Sequence, residues 1–230
     1  GLSAEEARRR VALFDSRSVV HDGREGLDPY KAALAWDSEW AHQVGSLDNP
    51  TEFVRAFKPT VRVGTTGHPN TFTEEMLHAM SEHCAVPLVF PYSNPTSKAE
   101  AHPRDILRWT TGTALVASGS PFGTINYEGR AIKIGQGNNA YIFPGVGLGA
   151  LASRARRVTP PMFAAAAKAL SEEVRQEDLD AGSLYPPLSQ LWNVTGKIAH
   201  AVARVAVQEG LSDLDEAVNS AAIERERWRP

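Results

Sequence analysis

The chain has 230 residues, 42% of them hydrophobic and 22% charged, with a formal net charge of −3. At about 150 residues per domain that is one large domain or two small ones, with enough apolar side chain to exclude wholesale disorder. The single cysteine, Cys84, excludes an internal disulfide and a cysteine-built zinc cage, and the scattered basic residues leave no nucleic-acid footprint. The most apolar stretch, residues 140–152, is interrupted by Pro144, Gly145, Gly147 and Gly149. It falls short of the roughly 18 residues that a membrane-spanning helix needs. The expectation is a cytoplasmic chain with neither membrane nor nucleic-acid partner.

Taken in chain order, Ser3-Ala4-Glu5-Glu6 fits an S-x-x-E capping box ahead of a short charged helix. An apolar run at residues 11–14 reads as a strand ending in Asp15. Further runs of strand length lie at 60–63, 87–91 and 114–117, alternating with helical segments at 50–57, 73–84 and 102–110. Thr73 and Pro103 mark two helix starts. The strands are apolar throughout rather than alternating, as expected where helices cover both faces of a parallel sheet. The second half is more helical. Thr159-Pro160-Pro161 caps and starts a helix reaching Val174, a Gly- and Pro-rich loop occupies 182–187, and a long helix runs from about Leu191 to Glu209. The charged tail at 224–229 reads as a solvated helix end or a subunit contact. No repeat or clean linker divides the chain, so residues 1–230 are taken as one domain.

Several residues carry chemistry beside a plainer structural role. Asp15 is placed to accept from an adenine ribose, as an acid at a strand tip does in dinucleotide-binding sheets; as a turn residue it would be unremarkable. The G-x-G-x-x-G turn expected about 20 residues earlier has no room before it. Lys31 either offsets a ribose 2′-phosphate or is a solvated surface lysine. Gly64-Thr65-Thr66-Gly67 follows a strand, where small residues let the backbone approach a ligand. Asn94, in Ser93-Asn94-Pro95-Thr96, is turn chemistry or an amide that holds a carboxylate and a hydroxyl at once. Gly135-Gln136-Gly137-Asn138-Asn139 pairs two free backbone positions with two uncharged amides beside an apolar helix, which favours a ligand-binding loop. The histidines show no H-E-x-x-H spacing, and 117–121 carries no G-x-S-x-G elbow.

Ser93-Asn94-Pro95-Thr96-Ser97-Lys98-Ala99-Glu100, Ala117-Ser118-Gly119-Ser120-Pro121-Phe122, Gly135-Gln136-Gly137-Asn138-Asn139-Ala140-Tyr141-Ile142-Phe143-Pro144-Gly145 and Leu184-Tyr185-Pro186-Pro187-Leu188 together resemble the cofactor-binding domain of malic enzymes. Their order and spacing match over nearly all of the chain. The resemblance implies oxidative decarboxylation of L-malate to pyruvate and CO₂ with NAD or NADP and Mg²⁺ or Mn²⁺. It implies that Asn94 and Asn139 hold the substrate, Asn94 also lying near the nicotinamide. It places Asp15 and Ser16 at the adenine ribose, Lys31 at a 2′-phosphate where there is one, and Thr66 and Gly67 along the cofactor. Ser18, Ile134, His68-Pro69-Asn70 and Ala101-His102 depart from the family's usual residues.

In that family the general-base lysine, the general-acid tyrosine and the acidic metal ligands precede the phosphate-binding turn. The resemblance therefore assigns no catalytic residue and no metal ligand to this chain. The fold expected is α/β, a Rossmann-like parallel sheet flanked by helices whose first strand and phosphate loop are absent from the chain. The chain is then expected to be a fragment, inactive alone, poorly stable because two strand edges lose their neighbour, and completed by an N-terminal part or a partner chain within a homo-oligomeric parent. A malolactic enzyme, which yields lactate, and a non-catalytic remnant that binds a nucleotide or a partner are the alternatives.

Overall fold

Three of the four apolar runs become adjacent parallel strands in the computed structural model, which describes residues 1–226, without the side chains of 216–219. They are β1 (Val61–Gly64), β2 (Leu88–Pro91) and β3 (Leu115–Ser118), joined by a short β6 (Gly135–Gln136) once the hairpin β4 (Thr124–Tyr127) and β5 (Arg130–Lys133) has been passed. The order across the sheet is β1-β2-β3-β6, with Val61 opposite Leu88, Val89 opposite Val116 and Ala117 opposite Gly135. β1, β2 and β3 are neighbours in both sheet and sequence, while the hairpin separates β3 from β6, and every parallel step needs a crossover.

Four short helices precede the sheet: α1 (Ala4–Arg8), α2 (Pro29–Leu34), α3 (Ser38–Val44) and α4 (Pro50–Phe57). The crossovers are α5 (Glu74–Ser81) and α6 (Pro103–Trp109). Three of the helix-start signals act as read: the Ser3 hydroxyl accepts from the Glu6 amide while Glu6 reaches back, Thr73 accepts from Met76, and Pro103 occupies the first turn of α6. One face of the sheet is sealed by Met76, Leu77 and Met80 of α5 and Ile106 and Leu107 of α6, packed on Val89 and Val116. The hairpin adds Ile125 and Ile132, which face each other across β4 and β5. Its two-residue turn, Glu128-Gly129, has φ of 47° and 79°, the left-handed pair that matches strand twist.

Beyond β6 the chain is helical: α7 (Phe143–Ala152), α8 (Pro160–Ser171), α9 (Gln176–Asp180), α10 (Leu191–Gln208) and α11 (Glu216–Glu226). Val194, Ile198, Val202 and Ala206 recur every fourth residue along α10 and are fully buried against Met162, Ala166 and Leu170 of α8 and Val146 of α7. Thr159 opens α8 without capping it; its hydroxyl donates to Glu209 at 2.6 Å instead. The α8 helix ends at Ser171 rather than Val174.

The strand read at residues 11–14 is corrected. Phe14 makes one antiparallel bridge, to Val19, and the segment belongs to neither sheet. A strand needs a ladder beside it. Here the chain instead folds back on itself, with the Val20 amide donating to Leu13, the Asp15 amide to Ser18 and the Trp36 indole to Val11. An aromatic cluster of Phe14, Trp36, Trp40, Phe53 and Phe57 holds this region against α4. The other departure is β1, whose Val61 and Val63 are 45% and 55% exposed at the sheet edge, so that strand is not covered on both faces. Of the charged tail at 224–229, residues 227–229 lie outside the described residues. No helix among the described residues is long and apolar enough to cross a membrane.

Candidate functional site

All four parallel strands end on one edge, and the loops that leave them carry four of the seven singled-out residues. Ligands bind at this carboxyl edge of parallel sheets because the loops there diverge and present unpaired backbone amides. Glu100 organises the first two loops. Its side chain is fully buried, and one carboxylate oxygen accepts from the Thr66 amide at 2.7 Å, the Thr66 hydroxyl at 2.9 Å and the Ser93 hydroxyl at 2.5 Å. The other accepts from the Ser93 amide at 3.3 Å. The Ser93 oxygen in turn accepts from the Gly67 amide at 2.8 Å. Burial pushes the Glu100 carboxyl up, yet these donors outweigh it and hold its pKa below the ordinary range. Close by, Arg62 lies over the Phe72 ring at 4.9 Å with its Nε buried and unpartnered. Its pKa is lowered to about 10 by burial, against the pull of the Glu100 charge.

Thr66 and Gly67 are thus tied to Ser93, the residue that precedes Asn94. Gly67 has φ of 70°, and a Cβ there would meet nothing within 4 Å, so the loop presents open backbone at the strand end. Asn94 is exposed. Its Oδ1 accepts from the Ser120 hydroxyl at 2.7 Å and its Nδ2 donates to the Tyr92 carbonyl at 3.3 Å. These two bonds fix which end of the amide faces which way, and leave one lone pair and one N–H for a ligand. Gly119 passes so close beneath that a Cβ would lie 2.1 Å from the Tyr92 carbonyl oxygen.

The 135–139 loop enters from the far side. The Gly137 amide donates to the Ser118 carbonyl at 2.8 Å, and the Gln136 side-chain Nε2 donates to the Gly119 carbonyl at 3.3 Å. Asn138 caps the short turn that follows, accepting from the Ala140 amide at 3.0 Å. Asn139 is exposed and its side chain makes no hydrogen bond among the described residues.

Asp15, Ser16 and Lys31 form a separate group on the segment before α4. Asp15 takes both oxygens to Arg24, at 2.9 and 3.1 Å, and one to Lys31 at 2.9 Å. It also accepts from the amides of Arg17 and Ser18. Burial works against its ionisation, but Arg24 and Lys31 hold its pKa far below the ordinary carboxylate range. The second Arg24 nitrogen is spent on the carbonyls of Ser18 and Val19, which leaves the guanidinium committed. Lys31 is the movable cation, with its side chain 38% exposed. Ser16 is exposed beside them.

Sequence reasoning quoted Glu100 inside a motif and gave it no role; it also passed over Arg24 and Tyr92. An acid set between two alanines, Ala99 and Ala101, was the available signal for Glu100. Nothing in the sequence pairs Arg24 with an acid nine positions earlier.

A parallel sheet with crossover helices, small-residue loops and amide-bearing turns along one carboxyl edge defines an α/β nucleotide-binding domain of the Rossmann type. Residues 1–207 match the family model described as malic enzyme, NAD binding domain, and the chain belongs to the malic enzyme family as that domain. It is 43% identical over its whole length to the NAD-dependent malic enzyme of Sodalis glossinidius and 42% identical to that of Vibrio parahaemolyticus. It spans 41% and 42% of those relatives. The crystal structure of Entamoeba histolytica malic enzyme superposes on 93% of the chain with a TM-score of 0.70 at 23% identity, over 41% of that protein. The Pyrococcus horikoshii malic enzyme matches 94% of the chain with a TM-score of 0.66 at 25% identity, over 46% of its own length.

Proposed function

We propose that this chain supplies cofactor and substrate contacts to an enzyme that oxidatively decarboxylates L-malate to pyruvate and CO₂ with NAD. The observation that carries the reading is the convergence on one sheet edge of Thr66, Gly67, Asn94 and Asn139, in a chain that belongs to the malic enzyme family. The left-handed, open Gly67 turn suits a cofactor backbone, and the two exposed amides suit a ligand that carries both a carboxylate and a hydroxyl. When bound, NAD supplies the hydride acceptor for oxidation at the hydroxyl-bearing carbon. Asn94, with its orientation set by Ser120 and Tyr92, presents one donor and one acceptor toward the substrate and the nicotinamide; Asn139 presents a free amide.

Asp15 and Ser16 take the adenine ribose in this reading, Asp15 as the acceptor for its hydroxyls. The relatives named NAD-dependent favour NAD over NADP. So does the engagement of Lys31 by Asp15, since a 2′-phosphate would have to win that lysine from a carboxylate. Among the described residues no three His, Cys, Asp or Glu side chains gather as metal ligands. In this reading Mg²⁺ or Mn²⁺ is held by residues outside this chain, and no step is assigned to a metal on the residues present. The parent is read as a homo-oligomer whose remaining part supplies the acid and base.

The test is malate-dependent NADH formation, with pyruvate as product, by the full-length protein that carries this chain. Asn94→Ala and Asn139→Ala should each raise the KM for malate by about tenfold, the effect of a hydrogen bond to a charged group. Lactate as the only product, or no turnover, would defeat the reading.

A further inference from the structure

Tyr92 touches both loops that carry the candidate substrate amides. Its carbonyl oxygen accepts from Asn94 Nδ2 at 3.3 Å. Its ring lies against Gly137 so closely that a Cβ there would sit 2.7 Å from the Tyr92 Cε1 atom. Its hydroxyl is 2.6 Å from the hydroxyl of Tyr185, which also crowds Gly137, 2.9 Å from the same imagined Cβ. Phe90 stacks on the Tyr92 ring with centroids 5.4 Å apart and planes 3° from parallel. Downstream of Asn139, Tyr141 is fully buried and donates to the Pro186 carbonyl at 2.6 Å. Asn139 therefore sits between two anchors, Gly137 and Tyr141, and the first of these is braced by Tyr92 and Tyr185.

We propose that Tyr92 is a positioning residue that fixes the placement of Asn139 relative to Asn94, and so the binding of the substrate held between them. The proposal rests on the malate reading above. Substrate-positioning groups matter because a displacement of about 1 Å lowers the fraction of productive geometry steeply. Tyr92 links the two loops through a rigid ring, with its backbone at one amide and its hydroxyl at the brace of the other. Burial and the Tyr185 hydroxyl both push the Tyr92 phenol above the usual tyrosine range, so the Tyr92 hydroxyl keeps its proton for this contact. The Thr66–Gly67 loop is held by Glu100 and Ser93, with no bond from either tyrosine hydroxyl, so removing those hydroxyls leaves its bonds in place.

The experiment uses the full-length protein with Tyr92→Phe, Tyr185→Phe and the double variant, with KM for malate and for NAD measured separately. Each single variant keeps its ring and loses one hydroxyl. The expected result is a malate KM raised by about three- to tenfold, the range of a single neutral hydrogen bond, with the NAD KM unchanged. The double variant should be no worse than either single one, the signature of a pair acting as a unit. An unmoved malate KM, an equal rise for malate and NAD, or additive single effects would overturn the proposal and leave the functional reading standing. Absence of malate turnover in the unaltered parent would overturn both.

Discussion

Replacing Glu100 by Gln keeps shape and volume and removes only charge and one acceptor. The best placement puts the amide oxygen where three donors converge, the Thr66 amide, the Thr66 hydroxyl and the Ser93 hydroxyl. Each of those bonds falls from the charge-assisted class, net about 1.5–3 kcal/mol, to the neutral class of about 0.5–1.5, a loss near 1 kcal/mol apiece. The amide nitrogen then points its hydrogens at the Ser93 N–H, leaving that buried donor orphaned at a cost of about 1 kcal/mol. These net figures already contain the cost of dehydrating the carboxylate, so Glu100→Gln should destabilise the domain by about 4 kcal/mol. For a domain of this size that is a fall in melting temperature of about 8–16 °C, read by circular dichroism on the full-length protein. The pH dependence gives a second handle. Because the folded pKa of Glu100 is lowered from 4.5, its contribution is complete above that value and fades as pH falls through the lower folded one. The variant should lose that part of the acid-limb destabilisation. A melting temperature within about 2 °C of the parent, or an unchanged acid limb, would refute the claim that Glu100 latches the two loops.

Gly119→Ala must move the Tyr92 carbonyl; overpacking against backbone should cost about 3 kcal/mol or more, seen as a lowered denaturant midpoint and a raised malate KM. Arg24→Ala leaves Asp15 with Lys31 as its remaining cation beside the Arg17 and Ser18 amides, so a loss of about 2–3 kcal/mol is expected, below the full cost of stranding a buried charge. That loss should shrink as pH falls through the depressed folded pKa of Asp15, since its pairing contributes only above that point. In the isolated 230-residue chain, the exposed edge strand β1 should drive self-association, and Val63→Lys should delay the onset of light scattering on heating, because a charge on an edge strand opposes edge-to-edge pairing. An onset unchanged by the lysine would locate the association elsewhere.

Much of the sheet was legible because its strands are short, apolar runs between amphipathic helices, and the caps at Thr73 and Pro103 are local chemistry. The hairpin at 124–133 escaped because its strands alternate and its turn is Glu-Gly rather than Asn-Gly, although Ile125 and Ile132 are spaced to face one another. Residues 11–14 have the composition of a strand, but strand formation needs a partner, and composition does not say whether one lies alongside. At the site, Asn94, Asn139, Thr66 and Gly67 were visible as small or amide residues after strands. The network that positions them was not, because Glu100 meets Thr66, and Tyr185 meets Tyr92, only once the sheet has ordered its loops; Tyr92 and Tyr185 stand 93 positions apart.

The aromatic cluster around α3 and α4 offers an optical reporter. The indoles of Trp36 and Trp40 lie 4.1 Å apart with their planes at 56°, close and skewed enough for their transitions to couple. Their near-ultraviolet dichroism would register the seating of the segment that bears Asp15, while backbone dichroism follows the sheet and helices. The two signals separate loosening of that segment from melting of the main body, without a label and before any ligand is added.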